Sequence, residues 1–189
     1  SETLEAAKVR ARRDFKTLGR AVTNDDFELL ATQTPRVRVA RAHVVSLRRP
    51  LPRAEGPGLD LDTTAAGAVA VIVVPDEPGP FPTPTPRMLH DVCRHLDGYR
   101  LVTTEVHVVP PQYVRIFGVE IDVRAEPGYS QVDVRDAVAT ALESYFHVLR
   151  GGDGQGHAFG ATIHHADLVA RVFAVQGVAR VERLVARFD

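Results

Sequence analysis

The densest group of side chains that could do chemistry lies near the end of the chain, at His157, His164, His165 and Asp167. Imidazole nitrogens and carboxylate oxygens are common metal ligands, so a metal-dependent enzyme built on these four residues is one hypothesis. Adjacent histidines on a helix point about 100° apart, so His164 and His165 cannot chelate one ion as an i, i+4 pair does. Because the sequence places no third ligand beside His164 and Asp167, it favours a solvated helix start without a bound metal.

Other catalytic patterns are incomplete. The glycine-rich run 151–156 follows a predicted helix rather than a strand, and it lacks the Lys-Ser/Thr pair of a phosphate-binding loop and the alternating acids of an EF-hand. No G-x-S-x-G is present, and Cys93 falls on the predicted core face of a helix. Helix capping accounts for the pair Asp25-Asp26. The sequence therefore predicts no catalytic residue, no cofactor and no metal.

Length and composition limit the class of protein. The chain has 189 residues, 44% of them apolar and 25% charged, which suits one ordinary domain or two small ones. A single cysteine excludes an intrachain disulfide and a cysteine-based zinc site, and indicates synthesis in a reducing compartment. No apolar run approaches the roughly 20 residues of a membrane helix. These features predict a soluble globular protein, and because the chain begins with Ser1 we expect it to be a piece of a longer one.

Charge is unevenly distributed along the chain. Residues 1–53 carry 12 basic and 6 acidic groups, whereas residues 54–189 carry 11 and 18. Of the 23 basic residues, 21 are arginine, whose guanidinium pairs bidentately with carboxylates at interfaces. Codon composition also explains the excess of arginine over lysine. No aromatic residue interleaves the arginines of 36–53, which argues against nucleic-acid binding.

Periodicity predicts alternating helices and strands. A polar helix over 2–18 with a thin apolar face needs a partner to be stable. Thr23 is expected to cap a second helix, which Pro35 stops, and a strand follows over 37–47. The segment 50–65 has loop composition, and the β-branched run 68–74 predicts a strand buried on both faces.

The order strand, helix, strand, strand, helix over 68–148 is typical of a ferredoxin-like split βαβ unit. The predicted class is α+β, with mixed sheets, packed helices, this central element and flanking helix-strand units. Four segments result: an N-terminal helix for intersubunit bundling, a small helix-strand unit with its loop, the ferredoxin-like domain, and a glycine-rich loop with the last helix and strand. Their bounds are 1–19, 20–65, 66–150 and 151–189.

Two stretches resemble a known family. The run Arg20-Ala21-Val22-Thr23, followed by Asp26-Phe27-Glu28 and Leu30-Ala31, resembles the R-A-V-T-x-x-D-Y/F-E-x-L-A segment of baseplate J-like proteins. The second stretch resembles the L-x-G-G-x-x-G-x-G-W-P-F-G ending of that family and the S-D-L and V-x-G-V motifs after it. Its matching residues are Leu149, Gly151, Gly152, Gly154, Gly156, Phe159, Gly160, Asp167, Leu168, Val175, Gly177 and Val178. His157-Ala158 stand where Trp-Pro is common, and Ala166 where the family has a capping Ser.

The resemblance, which runs from about residue 2 to residue 187, implies a structural function. J-like proteins are wedge components of contractile phage tails and contractile injection systems, and they have no catalytic role. A wedge subunit links hub, sheath and peripheral baseplate parts and relays the contraction trigger. The implied partners are other wedge subunits, a small sheath-proximal wedge protein, and spike, hub and sheath proteins, without nucleic acid or membrane insertion. Assembly is expected in the bacterial cytoplasm, and the mature location is the baseplate of a particle.

Arginines of the basic front half are the expected intersubunit contacts. We expect salt bridges to other subunits from five of them, namely Arg10, Arg12, Arg13, Arg38 and Arg41. Such charged contacts suit interfaces that rearrange on triggering. Besides the metal-dependent enzyme, a free ferredoxin-like module that binds a small ligand stays open as an alternative.

Overall fold

The computed structural model describes residues 19–55 and 58–188, and they form two compact units that meet in sequence at Gln112 and Tyr113. Each unit combines a small sheet with two helices, which confirms the predicted α+β class with mixed sheets. The predicted helix over 2–18 and residues Arg10, Arg12 and Arg13 lie outside the described residues.

The first unit is built on a three-stranded sheet. Its elements are α1 (Asn24–Thr32), β1 (Val39–Arg48), β2 (Leu51–Pro52), β3 (Leu59–Asp60), β4 (Thr64–Pro75), α2 (Pro86–Asp97) and β5 (Glu105–Val109). Strand β4 lies in the middle, with β1 antiparallel on one side and β5 parallel on the other. The segment 50–65, predicted to be a loop, contains strands β2 and β3, which pair with each other. This short antiparallel pair satisfies backbone N–H and C=O groups of the segment.

Helix α1 begins at a reciprocal capping box. The Asp26 backbone N–H donates to the Thr23 hydroxyl at 3.2 Å, and the Thr23 N–H donates to the Asp26 carboxylate at 2.9 Å. This pair satisfies two backbone groups that the first turn leaves open and stabilises the helix by about 1 kcal/mol. Two residues further, the Glu28 carboxylate accepts the Val44 backbone N–H at 2.9 Å and so fastens the helix to β1. The polar residues of this motif therefore hold the helix in place.

The first core lies where α1 and α2 pack on the sheet. Strand β4 is the β-branched run, and its residues of both parities are buried, as the sequence predicts for a strand covered on both faces. Helix α2 begins at Pro86 after the cap Thr85 and contributes three buried side chains, Met88, Val92 and Leu96. Each such side chain contributes on the order of 1.5–3 kcal/mol through its burial.

The predicted split βαβ element does not form, and this part of the expected architecture is wrong. A split unit places another strand between its two parallel strands, whereas β4 and β5 are direct neighbours, paired from Ala68 with Glu105 to Ile72 with Val109. The other edge of β4 is occupied by β1. The strand after β5 therefore has no place in this sheet, and it pairs in the second unit instead.

The second unit is a long antiparallel β-ribbon covered on one face by two helices. Its elements are β6 (Ile116–Ala125), α3 (Gln131–Phe146), α4 (His165–Phe173) and β7 (Val178–Phe188). Strands β6 and β7 pair along their length, with a register shift between Ile116 and Gly118 that is typical of a β-bulge. The buried side chains of α3 include Val134, Val138 and Leu142, as its helical spacing predicts. None of the helices in the described ranges is long and apolar enough to cross a membrane.

The burial of Leu96 predicts its energetic importance. Leu96 is fully buried in α2, whereas Leu51 in β2 is 41% exposed. We expect Leu96→Ala to lower the free energy of unfolding by about 2–5 kcal/mol, because it removes apolar contacts and leaves a cavity. The same substitution at Leu51 is expected to cost about 0.5 kcal/mol or less. Urea denaturation followed by circular dichroism measures both, and equal losses would contradict the packing described for the first unit.

Candidate functional site: a cleft beneath the glycine-rich loop

The glycine-rich segment folds back onto the C-terminal end of α3. The Gly151 N–H donates to the carbonyl oxygen of His147 at 2.6 Å, and the Gly152 N–H donates to that of Tyr145 at 3.0 Å. The N–H groups of Gly154 and Gly156 both donate to the Gly151 carbonyl, at 3.1 and 3.0 Å. Carbonyl groups that a helix end leaves open are thereby satisfied, and the loop becomes a fixed part of the helix terminus.

His157 fastens the far side of this loop. Its Nε2 donates to the Tyr145 carbonyl oxygen at 2.9 Å, so that this one oxygen accepts two hydrogen bonds. The imidazole also meets the Tyr145 ring edge to face, with 4.7 Å between ring centroids. These two contacts pack the ring of His157 within the loop, at a position where the J-like pattern commonly has Trp.

Arg171 joins helix α4 to the same loop. Its Nη2 donates to the Gly152 carbonyl oxygen at 3.1 Å, and its guanidinium carbon lies 5.2 Å from the centroid of the Tyr145 ring. A guanidinium over an aromatic face is attracted by the ring quadrupole. The side chain thus bridges α4, the loop and the end of α3.

A cleft of about 480 Å³ lies between these elements in the second unit. Its lining residues are Tyr145, Gly152, Asp153, His157, Asp167, Ala170, Arg171 and Ala174. Burial raises the pKa of the Tyr145 phenol, and the carboxylates of Asp167 and Asp153 raise it further against the opposing effect of Arg171. The phenol is consequently a neutral donor and acceptor at physiological pH.

The histidines proposed as metal ligands are used differently. His165 Nε2 donates to the Leu184 carbonyl oxygen at 3.1 Å, and His164 stands at the N-cap position of α4. Asp167 and His157 both line the cleft, but the Nε2 of His157 is engaged by the Tyr145 carbonyl. Across residues 19–55 and 58–188, no group of three or more His, Cys, Asp or Glu side chains is placed to hold a metal ion.

Cys93 is half-buried on α2. Burial raises the pKa of its thiol, and the nearby Asp97 carboxylate adds to the effect. A raised pKa keeps the sulfur protonated and poorly nucleophilic. The thiol is therefore poorly suited to act as a nucleophile.

Two of the five arginines proposed as intersubunit contacts, Arg38 and Arg41, lie in the part of the chain that the structure describes. Arg38 is exposed, and its guanidinium lies 2.8 Å from the Asp76 carboxylate of the same unit. Arg41 lies on β1 opposite Val74.

On the β-ribbon of the second unit, Arg187 pairs with Glu120 at 2.8 Å and Arg124 pairs with Glu182 at 2.9 Å. Exposed ion pairs of this kind contribute little to stability, so they can be exchanged for pairs with other chains at small cost.

Sequence reasoning missed the cleft and its two central residues. The helical spacing of α3 places Tyr145 in one stripe with Val138 and Leu142, and no motif in the sequence includes Arg171. The available signal was a basic residue four positions after Asp167, on the helix that follows a glycine-rich loop. The spacing alone could not show that Arg171 turns toward Gly152 and Tyr145.

Comparison with known proteins shows a shared fold. No protein-family model matches the chain, and no curated protein sequence matches it. A solved structure that is similar is the cryo-EM structure of the anti-feeding prophage baseplate, 6-fold symmetrised. The superposition with a chain of that structure has a TM-score of 0.67 at 18% sequence identity and covers 100% of the present chain. It covers 38% of the other chain, so the present chain spans well under half the length of that neighbour.

Gly151 is the position where the loop tolerates least change. A Cβ atom there would overlap the carbonyl oxygens of Tyr145 and His147, whereas at Gly154 nothing lies within 4 Å. We expect Gly151→Ala to lower the free energy of unfolding by at least about 2 kcal/mol, because backbone must move. Gly154→Ala, at φ +97°, should cost about 1 kcal/mol from backbone strain alone. Urea midpoints of the two variants test this, and a Gly151→Ala variant no less stable than Gly154→Ala would refute the loop geometry.

Proposed function

We propose that the chain is a structural subunit of the baseplate of a contractile particle, either a phage tail or a phage-derived injection system. The observation that carries the proposal is the superposition of the whole chain on a chain of the anti-feeding prophage baseplate. The resemblance of the segment at Arg20 and of the glycine-rich ending to baseplate J-like proteins supports it independently. Within such a particle we assign the chain to the wedge, where it links hub, sheath and peripheral parts.

The motif residues support a structural role in the details of their contacts. Thr23, Asp26 and Glu28 cap α1 and fasten it to β1, and Gly151 and Gly152 close the end of α3. Each of these residues forms backbone hydrogen bonds that fix the fold. The motif residues therefore stabilise the fold, which suits a subunit of a particle that must hold its shape until it is triggered.

The proposed partners are other wedge subunits, including a further J-like copy or paralogue, a small sheath-proximal wedge protein, and spike, hub and sheath proteins. The proposed location is the assembled baseplate, after synthesis in the bacterial cytoplasm. The alternative of a ferredoxin-like ligand-binding module loses its basis, because β4 and β5 pair directly and β6 pairs with β7. We propose no catalytic activity for the chain.

Sedimentation of a gently prepared lysate of the native source tests this function. We expect mass spectrometry to find the chain in the multi-megadalton fractions that contain sheath and tube proteins. The light fractions should hold only unassembled excess. Intact particles that sediment without the chain would contradict the proposal.

Charge reversal tests the arginine contacts. We expect Arg38→Glu and Arg41→Glu together to reduce the yield of sedimenting particles at least several-fold, because like charges then meet at the subunit interface. The matched control is Arg135→Glu, which likewise breaks an exposed pair with an aspartate, Asp136, in its own chain. Equal particle yields from both would show that Arg38 and Arg41 make no intersubunit salt bridge.

A further inference from the structure

Strand β5 forms one edge of the sheet in the first unit, and within residues 19–55 and 58–188 no strand pairs with its outer side. We call this outer side the β5 edge. The opposite edge of the sheet is closed differently, because the Glu28 carboxylate accepts the Val44 N–H, which points outward from β1. Among the described residues, no backbone group on the β5 edge takes part in a hydrogen bond.

The strand register identifies the backbone groups on the β5 edge. Val44 and Val71 lie opposite each other in β1 and β4, and the Val44 N–H bonds outward to Glu28. The two residues therefore form a non-hydrogen-bonded pair, and Val71 directs its own N–H and C=O toward β5. Val71 is the parallel partner of Val108, so its groups bond the residues on either side of Val108. The N–H and C=O of Val108, and by the same alternation those of Val106, consequently face outward.

Both ends of the β5 edge are closed. Before it, the Thr104 N–H donates to the Leu101 carbonyl oxygen at 3.0 Å, and the Thr104 carbonyl accepts Nη1 of Arg100 at 2.8 Å. After it come Pro110 and Pro111, which have no N–H to offer a strand. The edge therefore presents two donors and two acceptors in one short extended segment.

The turn before β5 presents an exposed apolar side chain, which is a second and independent observation. Val102 is 92% exposed, the largest value among the large apolar side chains that the structure describes. The turn is held in place, because the Thr103 carbonyl oxygen lies against Gly67 of β4, where a Cβ atom would come within 2.8 Å of it. One extended segment that ran along the β5 edge and past its start would cover this valine as well.

We propose that the β5 edge receives an extended segment of a different protein chain, which adds a strand to the sheet. Outward N–H and C=O groups at alternate residues match the backbone of another extended chain, and an edge of β-branched residues favours such pairing. Val106 and Val108 are half-buried against the first core, so we expect apolar side chains of the added segment beside them. That the segment comes from a neighbouring subunit of the particle rests on the proposed function, whereas the chemistry of the edge does not.

A second copy of this chain fits the β5 edge less well. The outward residues are symmetric about His107, so two β5 strands can pair antiparallel around that residue. This pairing would bring Pro110 and Pro111 of the second copy, two rigid residues without an N–H, toward the turn that carries Val102. A strand of five residues also buries far less than the roughly 800 Å² per partner of a stable interface. A different chain of the particle can add this contact to others.

Amide hydrogen exchange of the isolated full chain, followed by NMR, tests the edge. We expect the amides of Val106 and Val108 to exchange at least about 10-fold faster than those of His107 and Val109, which bond to β4. Equal protection of all four amides would overturn the inference, because the outward groups would then already be satisfied within the chain.

A short peptide tests strand addition. We expect the acetylated and amidated hexapeptide KTVTVK to shift the amide NMR signals of Val106 and Val108, with a dissociation constant on the order of 1 mM. One control peptide carries N-methyl groups on both valines, and another carries them on both threonines. Because alternate residues of a strand face one neighbour, one control should bind like the parent and the other at least about 10-fold more weakly. Equal binding of the two controls, or no shift with the parent, would overturn the inference.

A proline at an outward position separates strand addition from folding. Val108→Pro removes an N–H that β4 does not use, whereas the matched control Val108→Ala shortens the side chain and keeps that N–H. We expect similar urea midpoints for the two variants and an at least 10-fold loss of peptide binding in the proline variant alone. Equal binding in both variants would overturn the inference. If the proline variant does not fold, the exchange and peptide measurements on the unaltered chain decide.

Photo-crosslinking in the particle separates this inference from the proposed function. With benzoylphenylalanine at position 102, we expect a crosslink to a different chain that is lost in the Val108→Pro variant. A particle that contains the chain but gives no crosslink would defeat the inference and leave the baseplate function standing. A crosslink to a second copy of this chain would overturn the choice of partner. Peptide binding by a chain that is absent from all particles would defeat the proposed function instead.

Discussion

The carbonyl oxygen of Tyr145 is the acceptor on which the second unit depends. It takes hydrogen bonds from the Gly152 N–H and the His157 Nε2, and so ties both sides of the glycine-rich loop to the end of α3. Gly151 makes this closure possible, because any side chain there would meet backbone. Once the loop is fixed, Arg171 can bridge it to α4, and the cleft between them acquires a defined lining.

The chain uses its charged residues in two ways. In the first unit, Asp26 and Glu28 accept backbone N–H groups, which makes them part of the fold itself. On the surface of both units, exposed charges pair with one another, as Arg38 does with Asp76 and Glu120 with Arg187. Hydrogen bonds to backbone fix one structure, whereas exposed pairs are weak and exchangeable. Rigid units with exchangeable charged surfaces suit an assembly that changes its contacts without unfolding its parts.

The sequence predicted local structure well because its signals are local. The cap at Thr23 and the buried run of β4 depend on a few neighbouring residues. Strand pairing is not local: β4 could pair with β1, β5 or β6 on apolar pattern alone, and the predicted split βαβ arrangement was therefore wrong. The cleft was missed for the same reason, since Tyr145 and Arg171 meet only when the loop between α3 and α4 is closed.

Direct imaging of a contractile particle tests the proposed place of the chain in the baseplate. The measurement is a cryo-EM reconstruction of contractile particles purified from the native source, at a resolution that traces side chains. We expect density for both units in the baseplate, repeated around the particle axis, with the glycine-rich loop closed on α3. A complete baseplate in which every density belongs to other chains would contradict it.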